Sequence, residues 1–166
     1  MILWLHSDAA YNNTSKGRSR AGGHFWLGNH PTKDMQYNGA VLALAKVIKH
    51  VMGSATEAEL ASMYMNAREA VPLRNILEEL GHKQPATPIV TDNAVAEGIV
   101  NKTVKQQRTK AMDMRFYWLQ DRAAQKQFQV VWDKGMHNLG DYHTKRHSPA
   151  YHQAVRHKYV HMDTSP

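Results

Sequence analysis

Three aspartates, Asp8, Asp92 and Asp141, stand where a carboxylate can do more than solvate a surface, and a glutamate at the head of a helix, Glu57 or Glu59, makes a fourth. Asp8 ends the apolar run Ile2-Leu3-Trp4-Leu5-His6-Ser7, and Asp92 ends Ile89-Val90-Thr91. A carboxylate at the C-terminal end of a buried strand is held at the rim of a sheet, where open α/β folds place their sites. Asp141 lies in a Gly- and Asn-flanked loop ahead of a helical segment. Carboxylates converging on one rim repel one another, so the pattern calls for divalent cations, which prefer hard oxygen ligands. Two such ions roughly 3.5–4 Å apart can activate water, stabilise a leaving oxygen and clamp a phosphate. Singly, each acid has a plainer role as turn former, helix cap or dipole partner. Together they point to metal-assisted chemistry on phosphate.

The elements that must position these acids read as follows. A strand over residues 2–8 leads into a polar loop over 12–20, and Gly22-Gly23 opens a second strand near 24–28. Residues 41–48 suit a third strand or a short helix. The short connections make the start of the sheet antiparallel. Ser54-Ala55-Thr56-Glu57 has the form of a capping box. Leu60, Met63, Tyr64 and Ala67 follow at core-facing helical spacing. Pro72 breaks this pattern, giving a sharp kink or a second helix whose stripe is Leu73, Ile76, Leu77 and Leu80, closed by Gly81. A short strand over 89–91, a helix over 94–100, a helix over 112–124 faced by Met114, Tyr117 and Trp118, and a strand over 128–132 come next. From Tyr142 onward the chain reads as helical and then as a frayed, basic, His-rich tail over 148–166. This order predicts an α/β fold: a mixed five-stranded sheet, three antiparallel strands followed by two parallel ones, flanked by helices.

Composition narrows the function. The 166 residues form one expected domain, 1–166, with 42% hydrophobic residues and no Cys, which excludes thiol chemistry and a disulfide framework. No apolar stretch reaches the length of a membrane span and no signal-peptide pattern opens the chain, so a soluble domain is expected. A formal charge of +7 favours a polyanionic partner. Lys and Arg recur between Lys102 and Lys158 with no Glu among them, so the basic half surrounds Asp141. His137, His143, His147, His152, His157 and His161 crowd the last 30 residues, but without Cys partners they match no structural zinc pattern. They read as part of a basic segment that touches nucleic acid.

At this point the chain resembles a known family. His6-Ser7-Asp8-Ala9-Ala10, Ala58-Glu59-Leu60-Ala61, Thr91-Asp92-Asn93 and Gly140-Asp141-Tyr142-His143-Thr144-Lys145, in this order, resemble a type 1 ribonuclease H domain. The likeness is greatest to the ribonuclease H domains of copia-type LTR retrotransposon polyproteins. Arg108-Thr109-Lys110-Ala111-Met112-Asp113-Met114-Arg115 resembles a block of that group, and Asp141 to Lys145 its Ala-Asp-x-x-Thr-Lys. The resemblance covers nearly the whole chain and implies a ribonuclease H-like sheet. It chooses Glu59 over Glu57, because the family's catalytic Glu stands five residues after a Ser or Thr at the helix start and is followed by Leu or Tyr. It thus implies Asp8, Glu59, Asp92 and Asp141 as catalytic metal ligands for two Mg²⁺, with Mn²⁺ as the alternative ion. The implied substrate is an RNA–DNA hybrid, of which the RNA strand is cut.

Hybrid recognition depends on the 2′-hydroxyls that mark the RNA strand. Asn12, Asn13 and Ser54 are the candidate contacts near the site, and Arg108, Lys110 and Arg115 the candidate phosphate contacts further along. Many family members carry a His-Lys-Gly loop after the last strand, whose mobile His aids product release. Asp133-Lys134-Gly135 stands there instead, and His137 is the candidate substitute, against a reading as a plain exposed loop histidine. A reverse transcriptase domain in a parent polyprotein is the implied neighbour, and the isolated domain is expected to be a monomer, intracellular if it acts in a retroelement particle. No Tyr-x-Asp-Asp polymerase motif is present, and Met1 directly before a strand suits an excised domain or a freestanding gene. An integrase or transposase Asp-Asp-Glu site needs a late Glu, and none follows Glu97. An inactive nucleic-acid-binding domain of the same fold is the remaining alternative.

Overall fold

A computed structural model describes residues 1–29, 39–103 and 114–160; Arg108 and Lys110 lie outside them. The chain runs β1 (Ile2–Thr14), β2 (Arg18–Gly28), β3 (Leu42–Val47), α1 (Ala55–Glu79), β4 (Thr87–Thr91), α2 (Ala94–Val100), α3 (Met114–Ala124), β5 (Phe128–Trp132), α4 (Asp141–Thr144) and α5 (Pro149–Tyr159). The strands form one sheet in the order β3-β2-β1-β4-β5. β1 pairs antiparallel with β2, and β2 with β3, whereas β1–β4 and β4–β5 are parallel. This is the mixed sheet that the element order predicts.

The two faces of the sheet differ in chemistry. Leu3, Leu5, Ala21, Phe25, Leu44, Ile89 and Val130 are buried in a core that includes Met63, Ala67 and Ala70 of α1. The other face is polar and aromatic: Trp4 pairs in register with Trp26, and His6 with His24. His143 of α4 stacks on His24, and Tyr159 of α5 meets it edge-on.

Several elements differ from expectation. β1 and β2 extend into the predicted polar loop, with a register shift between Ala10 and Thr14, and turn at Ser15–Gly17, where Lys16 has φ 63°. α1 runs unbroken through Pro72. Pro72 lies on the exposed side, where the Arg68 carbonyl that would have accepted its N–H can meet water. The helix keeps its phase, so its second buried stripe is Ala70, Arg74 and Leu77, leaving Ile76 and Leu80 exposed. Arg74 is tolerated there because its guanidinium donates to Pro85 O, Thr87 Oγ1 and Gln84 O. α3 buries Phe116 and Leu119 and exposes Met114 and Tyr117. Of the tail expected to fray, residues 161–166 lie outside the described residues, and the part before them forms α5: Ser148 caps it by accepting from Tyr151 N, Pro149 opens its first turn, and the Tyr159 hydroxyl ties its end to Leu139 O.

Candidate active site

Asp8 is not the last residue of its strand; β1 continues six residues past it. The parallel pairing with β4 does end there, at Leu5–Ile89 and His6–Val90. Asp8 therefore stands at the rim formed by the end of β4, and Asp92 follows that end directly. Glu59 comes from the second turn of α1, which Ser54 starts by accepting from Glu57 N while Glu57 reaches back to Gly53 N at 2.7 Å. Glu57 is thus occupied by capping, and Glu59, one turn-half onward, faces inward and is 6% exposed.

Asp8, Glu59 and Asp92 each offer a carboxylate oxygen such that the three lie within 4.8 Å of one another. Glu59 Oε1 accepts from Ala9 N at 3.0 Å, but its Oε2 is buried with no partner. A buried carboxylate oxygen without a donor is expensive unless a cation supplies the missing contact. Burial, then the Asp8 charge, push the Glu59 carboxyl up to about 9 against the Ala9 N–H. Burial raises Asp8 to about 6, opposed by the Thr144 hydrogen bond and assisted by Asp141 and Asp92. At neutral pH the cation-free cluster therefore holds a proton that a divalent ion would displace. Oxygen-only ligands with one oxygen unclaimed fit a hard cation such as Mg²⁺ or Mn²⁺.

Asp141 is outside that trio. Its carboxylate takes Lys145 Nζ, and it shares with Asp92 a recess of about 310 Å³. That hydrogen bond raises the Lys145 pKa against its partial burial. Asp141 is still near enough to act on Asp8.

The loop that carries Asp141 is fastened to β1. Asn138 Nδ2 donates to Ser7 O at 2.8 Å, Leu139 N donates to His6 Nδ1 at 2.8 Å, and Thr144 Oγ1 donates to Asp8 Oδ2 at 2.5 Å. Gly22 permits this approach: a Cβ there would stand 2.5 Å from Gly140 O and 2.6 Å from Thr144 Cγ2. From the opposite face, Ser62 Oγ donates to Asp8 O, and Asn66 Nδ2 donates to Gly22 O and Ser7 Oγ. Ser62, Asn66, Asn138 and Thr144 escaped the sequence reading, since single buried polar residues have no periodicity. Thr144 alone left a signal, in the Asp-x-x-Thr-Lys spacing.

The remaining candidates are placed as follows. Asn13 Nδ2 donates to Thr144 O at 2.9 Å, next to the site. Asn12 is exposed with φ 53°, its N–H given to Ser19 Oγ. The Ser54 hydroxyl is engaged in capping α1. Arg115 lies in the first turn of α3. His137 is exposed in a turn after β5, its Nδ1 3.2 Å from both Asp133 oxygens. Despite partial burial, which acts the other way, the Lys134 N–H and His137 lower the Asp133 pKa.

No family model matches the sequence. Among curated proteins, the retrovirus-related Pol polyprotein from transposon TNT 1-94 of Nicotiana tabacum is 28% identical over 107 residues, 64% of this chain. The chain spans only 8% of that polyprotein's length. Among solved structures, the N-terminal RNase H domain of Rv2228c from Mycobacterium tuberculosis, determined as a maltose-binding-protein fusion, superposes with a TM-score of 0.61 at 14% identity, covering 93% of this chain and 98% of that one. LC11-RNase H1, isolated from compost by a metagenomic approach, superposes in complex with an RNA/DNA hybrid with a TM-score of 0.60 at 10% identity, covering 84% and 91%.

Proposed function

On this ribonuclease H-like fold, we propose that the chain is a metal-dependent endonuclease that hydrolyses the RNA strand of RNA–DNA hybrids, as part of a retroelement polyprotein. The observation that carries the reading is the trio Asp8, Glu59 and Asp92 at the sheet rim, with one buried Glu59 oxygen unclaimed. The hybrid bound by LC11-RNase H1 and the polyprotein likeness support the choice of substrate.

Asp8, Glu59 and Asp92 would hold the first cation, and Asp8 and Asp141 the second once Lys145 releases the Asp141 carboxylate. Two bound Mg²⁺ supply an activated water and a counter-charge for the leaving oxygen. Thr144 keeps one Asp8 oxygen oriented, Ser62 holds the Asp8 backbone, and the Ala9 N–H aims Glu59. Such preorganisation leaves little reorganisation for the reacting state. Asn12 and Asn13, on the exposed hairpin beside Thr144, are assigned to the RNA sugar edge, as is Ser54 at the start of the helix that carries Glu59. Arg108, Lys110 and Arg115 are assigned to the phosphates of the hybrid further along. His137, held by Asp133, is assigned the product-release role of the family's loop histidine.

The test is cleavage of a labelled RNA–DNA hybrid in Mg²⁺ and in EDTA, with duplex DNA and duplex RNA as controls. Wild-type protein should cut only the RNA of the hybrid, and only with the cation. Asp8→Asn and Glu59→Gln should abolish cutting while Glu57→Gln retains it. Cutting in EDTA, or loss in Glu57→Gln instead of Glu59→Gln, would refute the mechanism. Hybrid binding without cutting by a folded wild-type protein would establish the inactive-domain alternative.

A further inference from the structure

The turned end of the β1–β2 hairpin and the segment after α4 enclose a concavity of about 730 Å³ lined by Asn13, Lys16, Arg18, Arg20, Lys145 and Arg146, among others. Among the described residues no carboxylate lines it. Lys145 is paired with Asp141, but no ion pair holds Lys16, Arg18, Arg20 or Arg146 among the described residues. Four cations facing one groove without partners repel one another, an arrangement stabilised by a polyanion.

The groove is continuous with the acidic trio. Asp8 is in register with Gly22 and Ala10 with Arg20, so Arg20 stands on the Asp8 face of the sheet two residues further along. By strand rise this is about 7 Å. Thr144 joins the two regions: its hydroxyl holds Asp8, and its carbonyl accepts from Asn13, which lines the groove. A strand whose phosphate lies over the carboxylates would therefore present its neighbouring phosphates to this groove.

We propose that Lys16, Arg18, Arg20 and Arg146 form a subsite for the sugar–phosphate backbone of the RNA strand on one flank of the scissile phosphate. This rests on the hydrolase reading above for the identity of the strand. The subsite tethers the strand being cut through its charge and its position, and reads no base.

The test uses the full chain in a Glu59→Gln background, so that hybrid stays intact with Mg²⁺ present, and measures affinity across a salt series. Each phosphate contact removed should lower the slope of log affinity against log salt by roughly 0.9. Lys16→Ala/Arg18→Ala/Arg20→Ala/Arg146→Ala together should lower it by about 2–4, and Arg18→Lys/Arg20→Lys should keep it. The pair Lys16→Ala/Arg146→Ala, at two exposed positions, should lower it by about 1–2 with unchanged melting. The parent-to-variant difference should vanish when the RNA strand is shortened from one end of the hybrid and persist when the DNA strand is shortened. Unchanged slopes, or a difference that follows the DNA strand, overturn the subsite. If wild-type protein cuts no hybrid while the slopes fall as stated, it is the hydrolase reading that fails.

Discussion

The Glu59 carboxyl couples stability to pH in the cation-free protein, and the coupling can be isolated with Glu59→Gln. Its folded-state value near 9 lies above the ordinary 4.5, so between these pH values the folded chain holds a proton that the unfolded chain has lost. Stability from this group is present below about pH 4.5 and is lost as pH rises towards 9, at up to about 1.4 kcal/mol per pH unit. From pH 5.5 to 7.5 in EDTA the wild type should lose about 2–3 kcal/mol on this account, equivalent to roughly 4–12 °C in Tm for a chain of this size. Gln keeps an oxygen to accept from Ala9 N and has no titrating group, so Glu59→Gln should fold and lack the dependence. His6, lowered to about 3 by burial and then by His24, has the opposite sign, its contribution rising with pH up to about 6.5. Because His6 is common to both proteins, the informative quantity is the difference between the two urea-unfolding curves from pH 5.5 to 8.5. Glu59→Gln should overtake the wild type as pH rises in EDTA, and saturating Mg²⁺ should reverse the order by stabilising only the wild type. Parallel curves in EDTA would refute the assignment of a buried, protonated Glu59.

Other outcomes follow from the same geometry. Titration calorimetry of Mg²⁺ binding at pH 7 in buffers of different ionisation heat should reveal release of about one proton by the wild type and none by Glu59→Gln. Thr144→Val, which removes the donor to Asp8 Oδ2 at nearly constant volume, should weaken Mg²⁺ binding and slow hybrid cleavage by about 10–100-fold, read by steady-state kinetics with melting as control. Gly22→Ala should disconnect α4 from β2 and reduce cleavage, since its Cβ would displace the Gly140 backbone. Pro72→Ala, on the exposed side of α1, should stabilise the protein by about 1–3 kcal/mol in urea unfolding without altering cleavage.

The mixed sheet, Ser54 as a cap, and Asp8 and Asp92 were legible in the sequence because each has a local sign, an apolar run ending in an acid or a capping box, whereas Glu59 was set apart from Glu57 only by the family resemblance. What escaped was set by tertiary context. Residues 12–20 looked like a loop because the hairpin end is polar on both faces, and β-pairing there rests on backbone bonds and a bulge. Pro72 suggested a break, yet α1 continues because the bond lost is on the water side. α5 looked frayed because it buries no residue fully and so has no apolar stripe; rings hold it, with Tyr159 stacked on Tyr142 at 4.3 Å. The basic groove left a trace in the alternation Lys16-x-Arg18-x-Arg20, which a loop reading hides.

The hydrogen bonds that fasten the Asp141 loop to β1 also have a meaning in time. Asn138 to Ser7, Leu139 to His6 and Thr144 to Asp8 join residues 131, 133 and 136 positions apart. At roughly 5–20 residues per second of synthesis, about 7–27 s pass between the appearance of Asp8 and that of Thr144. Throughout that interval a nascent chain carries its acids without the clamp that orients them, and its β1 rim is bare. The acidic cluster is therefore oriented last, only once residues 138–144 have been made and can close on β1.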